Sequence, residues 1–596
     1  MAVYRADQAQ LTFATEAAQG GDPEMAEGTL VGSGATAALN DASGFKAGSR
    51  SITVDGVSGT FVVGDFIRIG TVASTESQTV VECEIRRIEA INGTVYTLDR
   101  PLAFFHADNE EVKEVSAIGG DATRNDKNKY ITWIPGVYES VDTPDPEMSI
   151  EGRRFLGTQS KRNWSVAYPG NQTLSGSVSG IVLLNGWPLR FPIGKVTTIP
   201  SAVTGSATLN GAVKKGDIFI TLSSSHGVVS GDIIAIYDAA NTNNTTKTTE
   251  VRKCDYLPTT NVVKLNYPLQ FDHASGAYVR EQNSASYYDH EIVETTDLDT
   301  VSWHVHMKES SETTAKNFDR RYVGGMIGSA TITAEEEGMV TMSWDSVNFL
   351  NMIHNQANQT TVGTNLYNGA SVSANMPRYA LMQSIDNDDV GMVNQTVNSA
   401  NTGIGYPNTQ PYYFSEGTIK LYGQEIARIR SFSLSISIGE EPRYYLGKQG
   451  NRARGPYEIH EGQREYSMSA TVVLPDADFN ADAAYNATNL QTGALEIFRQ
   501  LLLEGDYGGT TAATARAGFT ATIKFERATN DYIIIDIPGS TTAGTPTAGS
   551  NQINSQGVFI NTAPHAISTD NPLQIDLDMI FRSLRISIRD TQPFYP

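Results

Sequence analysis

The sequence predicts a mainly β protein: two larger sheet domains of sandwich or barrel type, each with a helix, and two small β-barrel-like accessory modules. Three observations carry that expectation. Apolar and polar residues alternate in many short runs. Charged residues make up only 18 % of the chain, below the usual share of about a quarter. The chain also repeats itself twice.

The alternation is clear in four places. Phe432, Leu434, Ile436 and Ile438 alternate with Ser433, Ser435 and Ser437. Val301, Trp303, Val305 and Met307 alternate with Ser302, His304, His306 and Lys308. Phe519, Ala521, Ile523 and Phe525 repeat the pattern, as do Leu573, Ile575, Leu577, Met579 and Phe581. Period two puts one kind of residue on each face, as in a sheet packed on one side and wet on the other.

The first repeat defines the accessory modules. Gly64-Asp65, the run Pro101-Leu-Ala-Phe-Phe-His106 and Val112 recur as Gly231-Asp232, Pro268-Leu-Gln-Phe-Asp-His273 and Val279, each 167 residues later. Glu84-Ile-Arg-Arg-Ile88 parallels Glu250-Val-Arg-Lys-Cys254. Short alternating runs broken by Gly, Asn and Asp fit a small barrel or sandwich. His106 and His273 read as strand-ending residues, because neither copy offers a second metal ligand at matching spacing.

The second repeat lies in the remainder. Leu184-Asn-Gly186-Trp-Pro-Leu189 and Leu421-Tyr-Gly423-Gln-Glu-Ile426 both read as strand, glycine turn and returning strand. Arg320-Arg-Tyr322-Val-Gly324 parallels Arg443-Tyr-Tyr445-Leu-Gly447, and Glu337-Gly338 parallels Glu461-Gly462. The hairpins differ by 421 − 184 = 237 positions and the Arg-x-Tyr-x-Gly motifs by 443 − 320 = 123, leaving 114 extra residues in the first copy. The second module falls in that gap, and a surface loop accepts such an insertion at low entropic cost. The predicted organisation is an N-terminal arm (1–29), a module (30–117), a discontinuous first domain (118–201 and 283–400), an inserted module (202–282) and a second domain (401–596). One helix is predicted at 491–504, with Leu495, Phe498, Leu501 and Leu502 as its stripe and Gly505 closing it.

Composition bounds the function. The net charge is −22 and the pI is near 4.9. An acidic surface disfavours tight binding to nucleic acid or to an anionic membrane. No apolar run is long enough to span a bilayer, and the start carries no secretory pattern, so no membrane insertion is expected. Cys83 and Cys254 sit in different modules and imply neither a disulfide framework nor a zinc site.

The search for chemistry finds no nucleophile elbow, phosphate-binding loop or His-Glu-x-x-His motif. His304 and His306 would share a strand face, but Lys308 beside them repels a cation. The run Asp476-x-Asp478-x-Asn480-x-Asp482 resembles a calcium loop, yet Ala481 and Ala487 stand where glycine and glutamate are needed. No catalytic residue, cofactor or metal is expected. A glycan-acting enzyme would need a carboxylate pair, and none can be named.

The runs Ser431–Ile438, Glu441-Pro-Arg-Tyr-Tyr-Leu-Gly447, Gly455-Pro-Tyr-Glu-Ile459 and Glu461–Ala470 together resemble the strand–loop–strand centre of bacteriophage major tail tube proteins. Residues 415–596 follow that family's order of hairpin, long strand, long loop, alternating strand and helix, and 150–200 with 283–350 follow it through their likeness to the second copy. The resemblance implies a non-enzymatic virion protein, made in the host cytoplasm, whose rings stack around a channel for DNA. A chain with two tube domains implies trimeric, pseudo-sixfold rings that contact other tail proteins at the tube ends. The modules then look like outward decorations. The competing reading is a multi-domain viral surface or adhesin-type binding protein.

On the tube reading, the long loops 324–338 and 447–462 are the expected ring-to-ring contacts. Arg320, Tyr322, Glu337, Arg443, Tyr445 and Glu461 are the residues expected to support them. Asp576 and Asp578 share one strand face and are the expected acids of an electronegative lumen that viral DNA passes without tight binding.

Overall fold

The computed structural model describes the chain apart from 71–83, 119–132, 154–165, 239–247, 357–377, 380–390, 393–409, 446–454, 474–519, 540–556, 567–573 and shorter stretches of up to seven residues. The predicted 491–504 helix and the 476–482 acidic run lie outside the described residues. The fold is mainly β, as the alternation implies.

Among the described residues, fourteen strands outline the body. In chain order they are β1 (Ser140–Asp142), β2 (Pro146–Arg153), β3 (Val166–Val182), β4 (Gly194–Pro200), β5 (Tyr288–Glu294), β6 (Asn317–Glu335) and β7 (Thr341–Asn348). They continue as β8 (Ile429–Ser437), β9 (Glu465–Val473), β10 (Ala521–Ala528), β11 (Asp531–Ile537), β12 (Phe559–Thr562), β13 (Gln574–Phe581) and β14 (Arg585–Asp590).

One sheet contains two groups of strands laid side by side. β1 and β2 pair with β3, which pairs with β7, which pairs with β6. β8 pairs with β9, which pairs with β13, which pairs with β12. With β1 and β2 taken as one position, each group therefore runs first, second, fourth, third in chain order. The groups join where β6 pairs with β8, from Ser329 opposite Ser437 to Glu335 opposite Ser431.

The second sheet runs β4-β5-β14-β11-β10 and continues into Gly417–Leu421. Its inner residues, among them Ile292, Ile523, Phe525, Ile533, Ile535, Ile586 and Ile588, share one buried cluster with Val178, Trp344, Leu434, Ile436, Met468 and Leu577 of the first sheet. Two sheets closing on one apolar layer make a sandwich, and that layer is the main source of stability. Arm strand Tyr4–Thr15 adds to this core by pairing with Val301–Glu309. Its Phe13 stacks on Trp187 with centroids 4.9 Å apart and meets Phe191 and Trp344 edge-on. Glu16 follows, buried, and accepts hydrogen bonds from Gly20 N, Gly324 N, Thr300 Oγ1 and Ser302 Oγ at 2.6–2.8 Å.

Two sequence expectations change here. Leu184–Leu189 is not a hairpin: Trp187–Leu189 is a 3-10 turn that runs into a helical turn, Arg190–Ile193. Pro188 suits a first helical turn, and Trp187, Leu189 and Phe191 are drawn into the aromatic core. By contrast, Lys420 and Leu421 do pair with Glu425 and Gln424. The segment 324–338 is not a long loop either. It is strand through Glu335, because Ala330, Ile332 and Ala334 alternate into the core. Only a tight turn remains, with Glu337 in the left-handed region at φ 64° and Gly338 N donating to Glu335 O.

The motif correspondence shifts as a result. Tyr322 lies in β6, the third strand of its group, whereas Tyr445 lies between β8 and β9, the first and second of theirs. The strand orders thus match β6 with β12, not Tyr322 with Tyr445; the expected partner of Gly186, Gly423, lies outside the described residues.

The two modules share a sheet order. In one, Ser51–Ser58, Val95–Leu98, Glu84–Asn92, Phe66–Ile69 and Glu111–Ile118 pair in that sequence. In the other, Phe219–Thr221, Val262–Leu265, Glu250–Thr259, Ile233–Tyr237 and Tyr278–Glu281 do the same. Asp65 and Asp232 make the same turn, accepting from Val62 N at 2.7 Å and Val229 N at 2.8 Å. The second module sits between β4 and β5, where the matching β10–β11 hairpin of the other group closes tightly at Ala528 and Asp531. It is packed on the body: Val196 N donates to Gln270 Oε1 at 2.9 Å, and Tyr267 meets Phe594 edge-on at 5.6 Å.

Candidate functional site

The face of the joined sheet turned away from the core is the most distinctive surface. Where Phe432, Leu434 and Ile436 point inward, Ser431, Ser433, Ser435 and Ser437 point out. Register then aligns like with like across the sheet. Ser433 stands between Thr333 and Ser469, and Ser435 between Thr331 and Ser467. Ser469 faces Asp578 and Thr471 faces Asp576. On the other side Thr331 faces Ser343 and Thr333 faces Thr341.

These hydroxyls bond to one another and to carboxylates. Thr333 and Thr341 Oγ1 are 2.9 Å apart, and Thr331 and Ser435 hydroxyls 3.3 Å. Thr331 donates to Asp345 at 2.7 Å, Thr471 to Asp576 at 2.9 Å and Thr562 to Asp578 at 2.8 Å. Glu335, Asp345, Glu465, Asp576 and Asp578 are all exposed. Strand stretches 173–182, 329–335, 341–345, 431–437, 465–473, 559–562 and 574–580 contain no Lys or Arg. Across these stretches the face is mainly hydroxylic and anionic, with the exposed Arg430 and Arg582 at its borders. Near its outer edge it carries one apolar pair, Phe559 opposite Ile580, with Ile580 51 % exposed.

The second sheet's outer side has different chemistry. Arg589 pairs with Asp289 at 2.6 Å, Arg585 with Asp536 at 3.3 Å and Lys524 with Glu526 at 2.6 Å. Arg589 also lies over the Tyr287 ring at 4.4 Å. Cations are present in this fold, but they lie outside those stretches of the hydroxylic face.

Two β-ribbons stand at matching places, between first and second strands of each group. One is β2 against the start of β3, exposing Met148, Ile150, Val166 and Tyr168. The other pairs Glu441–Arg443 with Glu458–His460. The predicted contact residues divide between them and the body. Arg320 pairs with Asp145 just before β2, and the buried Tyr322 points its hydroxyl to the same carboxylate at 3.4 Å. Arg443 pairs with Glu441 at 2.6 Å. Tyr445, 57 % exposed, donates to Glu458 and meets Tyr457 edge-on at 5.5 Å. Tyr444 donates to Gln172 O at 3.2 Å, tying one ribbon to the other. Glu461 directly follows the Glu458–His460 strand and turns to the body, accepting from Leu298 N at 2.7 Å, with its carboxyl pushed up by burial. Glu337 is in its turn, away from both ribbons.

Sequence reasoning passed over one feature: His106 and His273 are not plain strand ends but centres of buried charge networks. Both Glu-x-Arg pairs recur 166 residues apart and both histidines 167 apart, so the signal was present as a joint offset.

A family model for phage tail tube protein matches residues 159–581. No individual curated protein matches the chain.

Proposed function

The chain belongs to the phage tail tube protein family, a structural component of the virion tail, and from that premise we propose that it closes into trimeric, pseudo-sixfold rings whose lumen is the hydroxylic face. One observation carries the reading. Two strand groups of the same order lie side by side in one sheet, and the stretches named above give them a shared outer face without Lys or Arg. Three such chains supply six groups. Ring closure pairs the β12 edge of one chain with the β1–β3 edge of the next, leaving no free strand edge.

DNA then passes along hydroxyls and carboxylates. Phosphates are repelled, and no counterions are released to hold them. The ribbons take the ring-to-ring contacts, with Met148, Ile150, Tyr168 and Tyr445 as apolar contact and Arg320 and Arg443 bracing the roots. Residues 118–201 with 283–400, and 401–596, act as the two tube domains. The modules face outward, and other tail proteins meet the tube at its ends.

Negative-stain microscopy with mass measurement tests the assembly. Hollow rings of three chains, stacking into tubes, are expected. A monomer without rings would favour the adhesin reading, and a ring of six chains would overturn the two-domain arrangement.

A further inference from the structure

The two modules repeat not only a fold but a buried arrangement of charge. In the first, His106 Nε2 lies 2.7 Å from Glu84 Oε1 and Nδ1 2.7 Å from Glu110 Oε2. In the second, His273 Nε2 lies 2.9 Å from Glu250 Oε1 and Nδ1 3.1 Å from Asp238 Oδ2. Neither imidazole is exposed, and Glu84 and Glu250 are buried with them. Each of these glutamates also holds an arginine, Arg86 and Arg252 respectively.

The geometry favours one proton count. An ionised carboxylate oxygen only accepts hydrogen bonds, whereas a neutral imidazole has one donor nitrogen and one acceptor. A carboxylate on each side leaves a neutral ring with a lone pair aimed at an anion. Two donor nitrogens, an imidazolium, satisfy both. The charges then balance: histidine and arginine against two carboxylates in each module. Buried charge is tolerable only when paired in this way.

We infer that His106 and His273 are proton-operated clasps, each holding its module's barrel closed as an imidazolium and releasing it when the proton is lost. His106 ties its own position to the strand starting at Glu84 and to Glu110, which enters the closing strand Glu111–Ile118. His273 ties 268–273 to the strand starting at Glu250 and to Asp238, just past Ile233–Tyr237.

The other groups packed around each centre favour the same state. Glu110 also accepts from Ala107 N at 2.9 Å. Glu250 accepts from Gln270 N and Phe271 N, and Asp238 from Ala274 N and Thr248 Oγ1. Arg252 is itself flanked by Arg190, Asp299 and Tyr267. Burial alone lowers a histidine pKa, but the hydrogen bonds and charges of Glu110 and Glu84 outweigh it and raise that of His106 to about 9. Burial opposes and Glu250 and Asp238 raise that of His273 likewise.

A histidine whose folded pKa lies above its unfolded value near 6.5 stabilises fully below that value. The contribution fades as pH rises through about 9 for His106. On the acid side, burial raises Glu110 and Glu250, but their partners outweigh it and lower both, so the clasp also weakens as pH falls below about 4.5.

The test is an NMR titration of the full chain with ring-¹⁵N histidine, using His106→Gln and His273→Gln to assign the two signals. Both rings should read as imidazolium, with two protonated nitrogens, at pH 7.5. His106 should titrate near pH 9. A neutral tautomer of either ring at pH 7.5, or a midpoint at or below 6.5, overturns the inference. Hydrogen exchange on the wild-type chain adds a readout independent of the variants' folding. Strand 111–118 should lose protection at pH 10 beyond the intrinsic rate increase, while β8 and β9 keep theirs. Equal behaviour of modules and body would also overturn it.

Discussion

Replacing Asp576 and Asp578 together by lysine is the most direct perturbation of the proposed lumen. Both side chains are exposed on β13, and each loses only one threonine hydroxyl partner, Thr471 or Thr562. Surface changes of this kind typically cost within about 0.5 kcal/mol, so the fold should persist. The charge at these two positions moves from −2 to +2 per chain. Three chains per ring then place about six lysines around the channel. Each neutralised phosphate contributes a slope of about −0.9 in log affinity against log salt. About six contacts give a slope near −5, so a fourfold salt increase weakens DNA retention about 10³-fold. The assay loads assembled tubes with labelled duplex DNA and measures release at 50 mM and 200 mM salt. Wild-type tubes should retain almost none at either salt, and the variant should retain DNA at the lower one. Salt-dependent retention by wild-type tubes, or none by the variant, refutes the lumen assignment.

Three further outcomes follow from packing and titration. Phe13→Ala removes a fully buried ring from the Trp187 stack and should cost about 3–5 kcal/mol; thermal melting and protease cleavage within 4–15 report it, and an unchanged Tm would detach the arm from the core. Tyr267→Ala empties the contact with Phe594 and should weaken the body as well as the module; hydrogen exchange should rise in both 262–265 and β14, and a change confined to the module would show independent domains. Burial raises the Glu440 carboxyl to about 7, although Ser346 and Asn348 donate to it at 2.5 and 2.6 Å. The folded state therefore binds a proton that the unfolded state releases, and stability falls as pH rises from about 4.5 to 7; Glu440→Gln should abolish this slope and stabilise the chain by about 3 kcal/mol at pH 8, and an unchanged pH profile of Tm would exclude it.

The sheet content was legible because period two is a local property. Ser433, Ser435 and Ser437 had to share a face once Phe432, Leu434 and Ile436 faced the core. Aspartates 576 and 578 followed by the same rule. Module likeness was legible too, since its motifs keep one spacing. The correspondence between the larger groups was not. Strand order depends on pairings hundreds of residues apart, and a short motif does not report its environment. The Arg-x-Tyr-x-Gly pattern illustrates this: Tyr322 is wholly buried in a long strand, while Tyr445 is exposed on a ribbon. The hairpin expected at Gly186 failed for a related reason. Nothing local shows that Trp187 will meet Phe13 and Trp344, and that tertiary contact decides the turn.

The β6–β8 seam gives the proposed ring its asymmetry. Within a chain, seven consecutive register pairs from Ser329–Ser437 to Glu335–Ser431 join the two groups, and the buried cluster continues beneath them. This joint forms with folding and needs no association. The joint between chains must form from exposed edges, β12 on one side and β1 with β2 on the other. A covalent pair halves the number of such joints in a six-group ring, from six to three. Each association step then places two groups at once, which lowers the translational and rotational cost of building the ring. It also frees each half to diverge. The β4–β5 hairpin could accept a module because the equivalent hairpin, β10–β11, stayed short. On a sixfold ring of single-domain chains, such an insertion would appear six times; in the proposed ring it appears once per chain and so three times.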